Sequence, residues 1–170
     1  MKVLVTVASR HGSTSLIGDA IREELAATGV KAHLIDPELV TDISEYDAVV
    51  LGSAVYAGRW LKPARAFAKR FDAALTRKPV WLFSSGPVGE PPTPTRPAAE
   101  ALELAQRLGA RDHHVFEGRI ERDLLGLGER FRIANLPSGD FRPWVAITVW
   151  TRRIAASLKS EIEPAAARGR

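Results

Sequence analysis

Six consecutive residues near the start of the chain, Ser9-Arg10-His11-Gly12-Ser13-Thr14, combine hydroxyls, a glycine and a histidine just after an apolar run. A helix that begins at Ser13 or Thr14 turns unpaired backbone N–H groups, and about half a positive charge, toward whatever sits in front of it. Phosphate is the natural guest of such a terminus. Gly12 permits positive φ and a close backbone approach, while Ser9, Ser13 and Thr14 offer hydroxyl donors without bulk. The same residues suit an ordinary Ser/Thr helix cap, and the loop alone fits both readings equally.

The elements around this loop decide where it lies. Residues Lys2–Ala8 are β-branched and apolar, the pattern of a strand covered on both faces. Residues 13–28 then place Ile17, Ala20, Ile21 and Leu25 at helical spacing, with Gly29 as the C-cap. Further strands are expected at Lys31–Ile35, 48–51, 79–83 and 113–118. Pro63 opens a helix with Ala64, Phe67, Ala68, Phe71, Ala74 and Leu75 on one face. Pro97 opens another, with Leu102, Ala105 and Leu108 inward and Gly109 as its stop. Pro143 begins a last helix whose Trp144, Ile147, Trp150, Ile154 and Leu158 are spaced for burial, and residues 119–142 before it are less regular. This alternation predicts an α/β fold, a doubly wound parallel sheet with helices on both faces. Such sheets bind ligands outside the carboxyl ends of their strands, where loops 9–14, 52–62 and 84–96 would meet.

What is missing narrows the ligand. No lysine follows Gly12 as in G-x-x-x-x-G-K-S/T, so a nucleoside triphosphate with magnesium is not expected. No G-x-G-x-x-G follows the first strand, which removes the dinucleotide fingerprint. A receiver domain would carry carboxylates at the ends of the first and third strands, where this chain has Ala8-Ser9-Arg10 and Gly52-Ser53-Ala54. The four histidines, His11, His33, His113 and His114, show no metal spacing, and no metal site is expected. No G-x-S-x-G elbow points to a hydrolase.

Ser9-Arg10-His11-Gly12-Ser13-Thr14 resembles the phosphate loop of the flavodoxin superfamily, S/T-x-T-G-x-T, with His11 in place of a hydroxyl residue. The resemblance implies a five-stranded parallel sheet of order 2-1-3-4-5 and FMN as cofactor, its phosphate wrapped by Ser9, Arg10, His11, Gly12, Ser13 and Thr14. His11 would either donate one more hydrogen bond or fill space. The flavin ring needs backbone groups for its pyrimidine edge and a flat face to stack on. Ser53, Ala54, Val55, Tyr56, Ala57 and Gly58 in the second loop have that composition, and Ser84, Ser85, Gly86 and Pro87 would close the other side. Tyr56 and Trp60 either cover the ring or pack over the adjoining helix. The third loop lacks the tyrosine that many flavodoxins place there. No catalytic residue stands out, which a flavin enzyme tolerates because the cofactor carries the electron chemistry.

Within the superfamily the chain is similar to the menaquinone-dependent protoporphyrinogen dehydrogenase group, in its S-x-x-G-x-T loop, its second loop and a basic, irregular segment before the last helix. That likeness implies an oxidoreductase passing electrons from a reduced, protoporphyrinogen-like substrate to a quinone-type acceptor. The alternatives are an electron carrier with a redox-protein partner, or a partner-binding module that has lost its flavin. Soluble carriers of this type are typically acidic, which steers them to basic partners, whereas this chain has formal charge +4 and a pI of about 9.8. Arg119, Arg122, Arg130 and Arg132, with Leu124, Leu125, Leu127 and Phe131, would approach an anionic membrane or a carboxylate-bearing substrate, or else pack on the sheet edge. The five prolines of residues 87–97 either limit access to the ring or serve as a stiff connector.

The remaining expectations concern the whole chain. At 170 residues and 45% hydrophobic content it suits one domain, placed at 1–160 with a frayed tail at 161–170. With no cysteine, neither a disulfide nor a thiolate can do the chemistry. No segment approaches the roughly 20 apolar residues of a membrane span, and MKVLVTVASR reads as a strand rather than a signal peptide, so the expected location is cytoplasmic with peripheral membrane contact left open. The basic residues are scattered with few aromatics between them, so no nucleic acid is expected as partner. A homodimer is left open as well.

Overall fold

Alternate residues along the apolar runs face opposite ways, and both faces find cover. In the computed structural model, which describes residues 1–86, 98–120 and 139–167, β1 (Lys2–Ala8) sends Val3, Val5 and Val7 into one core and Leu4 and Ala8 into another. The same split runs through β3 (Ala48–Tyr56) and β5 (Val80–Gly86), where Val50, Trp81 and Phe83 lie opposite Val49, Leu51 and Leu82. Burial on both sides is why these strands read as unbroken apolar stretches.

With β2 (Lys31–Ile35) and β6 (Asp112–Glu117), five parallel strands line up in the order β2-β1-β3-β5-β6. This is the expected 2-1-3-4-5 order once β4 (Arg59–Trp60), a short antiparallel partner of β3, is set aside. Against one face pack α1 (Ser13–Ala27) and α5 (Trp144–Ala167), through Ile17, Ile21, Leu25, Ile147, Trp150, Ile154 and Leu158. Against the other pack α2 (Lys62–Arg70), α3 (Asp72–Leu75) and α4 (Ala99–Leu108). A minimal antiparallel pair, β7 (Arg119–Ile120) with β8 (Gly139–Asp140), stands apart from the main sheet.

Several expectations need correction. The helix opened by Pro63 breaks at Phe71 (φ −106°, ψ 16°) and resumes as α3, although Phe71 and Ala74 still pack against the same core. On α4 the inward face is Ala101, Leu104 and Leu108, and Leu102 is 44% exposed, because it lies one residue off the i, i+3, i+7 stripe that Ala101 begins. Trp144 is 41% exposed at the open first turn of α5, where the Arg142 guanidinium covers it at 4.5 Å. The last helix runs on to Ala167, and 168–170 lie outside the described residues.

The largest correction concerns the expected loops 52–62 and 84–96. β3 continues to Tyr56 and β5 to Gly86, so Gly52, Ser53, Ala54, Ser84, Ser85 and Gly86 are strand residues. Small size is what lets the strands continue there. A Cβ on Gly52 would stand 2.1 Å from the Phe83 ring, so only glycine fits beneath it.

Candidate functional site

The sheet register brings the carboxyl ends of four strands side by side. Ala8 pairs with Ser53, Ser53 with Ser84, Ala54 with Ser85, and Gly86 with Glu117. The first loop leaves β1 at the centre of this edge, beside the point where the strand order reverses, which is where open α/β sheets hold their ligands.

Gly12 is the N-cap of α1, in a left-handed conformation at φ 79°, and no side chain caps the helix among the described residues. The ordinary Ser/Thr cap is therefore not what this sequence builds. The first helical hydrogen bond runs from Leu16 N–H to Gly12 O at 3.1 Å, so the amides of Ser13, Thr14 and Ser15 precede the ladder. The first turn holds no acidic residue to oppose the positive end of the macrodipole. Thr14 is buried at 3% exposure, and Ser13 Oγ is buried with no hydrogen-bond partner among the described residues. A buried hydroxyl in that state costs on the order of 1–3 kcal/mol. An anion in front of the helix would satisfy both this hydroxyl and the free amides, so the residues present fit a phosphate group.

The first and second expected loops meet. The His11 ring stands edge-on to Tyr56 with centroids 6.3 Å apart, and the Arg10 guanidinium lies 5.6 Å from the same ring. Tyr56 ends β3, and Ala57 and Gly58 turn the chain back into β4 with positive φ at both (50° and 74°), as a two-residue type I′ hairpin requires. Ala57 carries the strain of that conformation, since a side chain with a Cβ rarely adopts it.

Behind the hairpin lies a polar floor that the sequence did not reveal. Ser53 Oγ accepts from Leu61 N–H at 2.9 Å and donates to Ala54 O at 2.8 Å. Trp60 is 2% exposed, and its Nε1–H donates to Ser84 Oγ at 2.8 Å, which in turn shares a hydrogen bond with His113 Nε2 at 2.9 Å. Burial pushes His113 below the ordinary histidine range, so it is neutral at pH 7. The hydroxyls of Ser53 and Ser84 are thus spent inside the protein, tying β3, β4, β5 and β6 together. Trp60 is a packing residue, and Tyr56, half-buried, is the aromatic left at the edge.

Ser9, Arg10, His11, Gly12, Ser13, Thr14, Val55, Tyr56, Ala57 and Gly58 are gathered at the carboxyl edge, with Ser53, Ala54, Ser84, Ser85 and Gly86 in the strand ends beneath. Pro87 and the proline run to Pro97 lie outside the described residues, as do Arg122, Leu124, Leu125, Leu127, Arg130, Phe131 and Arg132 of the basic segment. One contributor went unnoticed. Arg142, 7% exposed, is gripped by the Asp140 carboxylate and donates from Nη1 to Ser13 O at 3.2 Å. The pair holds Asp140 below the usual carboxylate range. Its sequence signal was an acid and an arginine two apart, just before the proline that opens α5.

Among the described residues no cluster of His, Asp or Glu could hold a metal ion, and no helix is long and apolar enough to cross a membrane. No curated protein matches the chain in sequence. Solved structures do match its fold. Rubredoxin oxygen:oxidoreductase from Desulfovibrio gigas aligns with a TM-score of 0.66 at 15% identity, over 95% of this chain and 37% of its own, so the chain spans little more than a third of that protein. A cysteine-to-serine variant of the flavodoxin from Pseudomonas aeruginosa gives 0.63 at 16% identity, over 94% and 99% of the two chains. Oxidised flavodoxin 1 from Bacillus cereus gives 0.55 at 22%, over 81% and 100%. The model of the flavodoxin domain family matches residues 4–140, most of the chain and all three expected loops; the chain belongs to that family, and the cofactor the family implies for this cradle is FMN.

Proposed function

We propose that this flavodoxin-family protein is an FMN oxidoreductase that oxidises a reduced organic substrate and delivers the electrons to a quinone-type acceptor. The observation that carries the flavin assignment is the start of α1, with Gly12 at positive φ, no side-chain cap among the described residues and a buried Ser13 Oγ without a partner among them. The amides of Ser13, Thr14 and Ser15 and the hydroxyls of Ser9 and Ser13 would hold the phosphate. Val55, Tyr56, Ala57 and Gly58 would border the ring on one side and Ser85 and Gly86 on the other. When bound, the flavin supplies one- and two-electron chemistry. In the net reaction the substrate loses two electrons and two protons, and the quinone gains both pairs to become a quinol.

The charge of the chain separates this reading from that of a diffusing electron carrier. A formal +4 does not suit a protein steered by acidic residues to basic redox partners. The protoporphyrinogen-like substrate comes from the resemblance of the loops and of the basic segment before α5. Anaerobic photoreduction of the FMN-loaded protein, followed by rapid mixing with menadione, tests the acceptor. Prompt reoxidation with quinol formation is the expected result. Inertness toward quinones, with rapid electron transfer to a small redox protein instead, would replace this reading by the carrier.

A further inference from the structure

The phosphate cradle receives a contact from the far end of the sequence. Arg142 lies in the link between β8 and α5, yet its side chain reaches the first turn of α1, 129 positions earlier. The guanidinium is held on three sides. Nε and Nη2 bind the two oxygens of the Asp140 carboxylate, its face lies 4.5 Å from the centre of the Trp144 ring, and Nη1 donates to Ser13 O at 3.2 Å. With its side chain 4% exposed, this is a fixed group rather than a mobile surface arginine.

The carbonyl it contacts is informative. Ser13 C=O and Thr14 N–H belong to one peptide unit, and Thr14 N–H is one of the amides that precede the α1 ladder. A cationic donor on the carbonyl polarises that unit and strengthens its N–H as a donor, as chains of hydrogen bonds do. A buried cation beside the positive end of a helix also opposes the macrodipole, an arrangement made favourable by an anion in front of the helix.

We infer that Arg142 is a positioning residue for the flavin phosphate: aimed by Asp140, it fixes and polarises the Ser13–Thr14 peptide that binds the anion. The inference rests on the assignment of the α1 terminus as the FMN phosphate site. Its consequence is that phosphate affinity depends on two residues outside the loop itself, Asp140 and Arg142.

The test is to titrate the apo-protein and its Arg142→Met, Arg142→Lys and Asp140→Asn variants with FMN and with riboflavin, following flavin fluorescence. Arg142→Met should weaken FMN by about tenfold, the worth of one charge-assisted hydrogen bond, while riboflavin changes by less than about twofold. Arg142→Lys should recover part of the loss, since it restores the charge but not the fork. Asp140→Asn, which keeps the volume and carries the test if Arg142→Met does not fold, should weaken FMN in the same direction. Equal losses for both flavins, or an unchanged FMN affinity, would overturn the inference. So would tighter FMN binding by Asp140→Asn, which would mean that Asp140 only mutes the charge of Arg142. A wild-type protein that binds riboflavin as well as FMN, or binds neither, would instead remove the phosphate assignment and the inference with it.

Discussion

Ser13 shows how a residue can be costly in one state and useful in another. Its hydroxyl is buried without a partner among the described residues, in a first turn whose three leading amides precede the helical ladder. Replacing it by alanine removes a polar group that the apo-protein cannot satisfy and should stabilise that form by about 1 kcal/mol in a denaturant titration. The same substitution should weaken FMN by about tenfold, because a phosphate oxygen loses a donor. Opposite signs in the two measurements are the signature of a binding hydroxyl; losses in both would make Ser13 a structural residue. At Thr14, substitution by valine should weaken FMN more than riboflavin, and an equal loss for both would mean that this turn does not meet the phosphate. His11, the departure from the family loop, is placed edge-on to Tyr56, so it joins the first loop to the hairpin.

At the level of elements, the hairpin Tyr56-Ala57-Gly58-Arg59 is where local strain is concentrated. Ala57 at φ 50° holds a conformation that costs an L-residue about 1–2 kcal/mol, so Ala57→Gly should raise the thermal midpoint of the apo-protein, and a lower midpoint would refute the strain. Gly52→Ala should do the reverse, by roughly 1–3 kcal/mol or more, because its methyl would enter the Phe83 ring. These two positions also mark the limit of what the sequence could disclose. β1, α1 and β2 were legible to the residue or nearly so, since a both-faced strand and a one-faced helix leave distinct periods. The far ends of β3 and β5 were not, because Gly52, Ser53, Ser84 and Ser85 carry no apolar signal. What keeps them in the sheet is backbone pairing together with hydroxyl bonds to Leu61, Trp60 and His113, contacts made across distant parts of the chain. The clustering of residues 9–14 at the carboxyl edge was legible because they are consecutive; the contact of Arg142 was not, because it spans most of the sequence.

For the whole molecule, a half-buried histidine of β6 packs on each face of the sheet, His113 against Trp60 and His114 against Phe116 and Trp150. Burial is the main cause that lowers both below their ordinary value of 6.5; the Asp112 carboxylate opposes it at both, while His114 adds to the lowering at His113 and Arg153 at His114. Just below pH 6.5 the unfolded chain therefore binds more protons than the folded one. Stability should be full above that pH and fall as the pH drops through 6.5 toward the lower folded values. His113→Gln, which can still meet Ser84, should flatten part of the decline between pH 7.5 and pH 5. A denaturation midpoint equally pH-dependent in wild type and variant would remove His113 from the account. The same sheet that packs against these rings delivers the α1 terminus, the hairpin and the β5 end to one edge, the edge proposed to hold the flavin. Titration of the purified apo-protein with FMN and with riboflavin tests this most directly. A phosphate held by several charge-assisted hydrogen bonds should make FMN bind at least about 100-fold more tightly than riboflavin. Equal affinity for the two flavins, or no quenching by either, would contradict the assignment of Ser9 to Thr14 as a phosphate cradle.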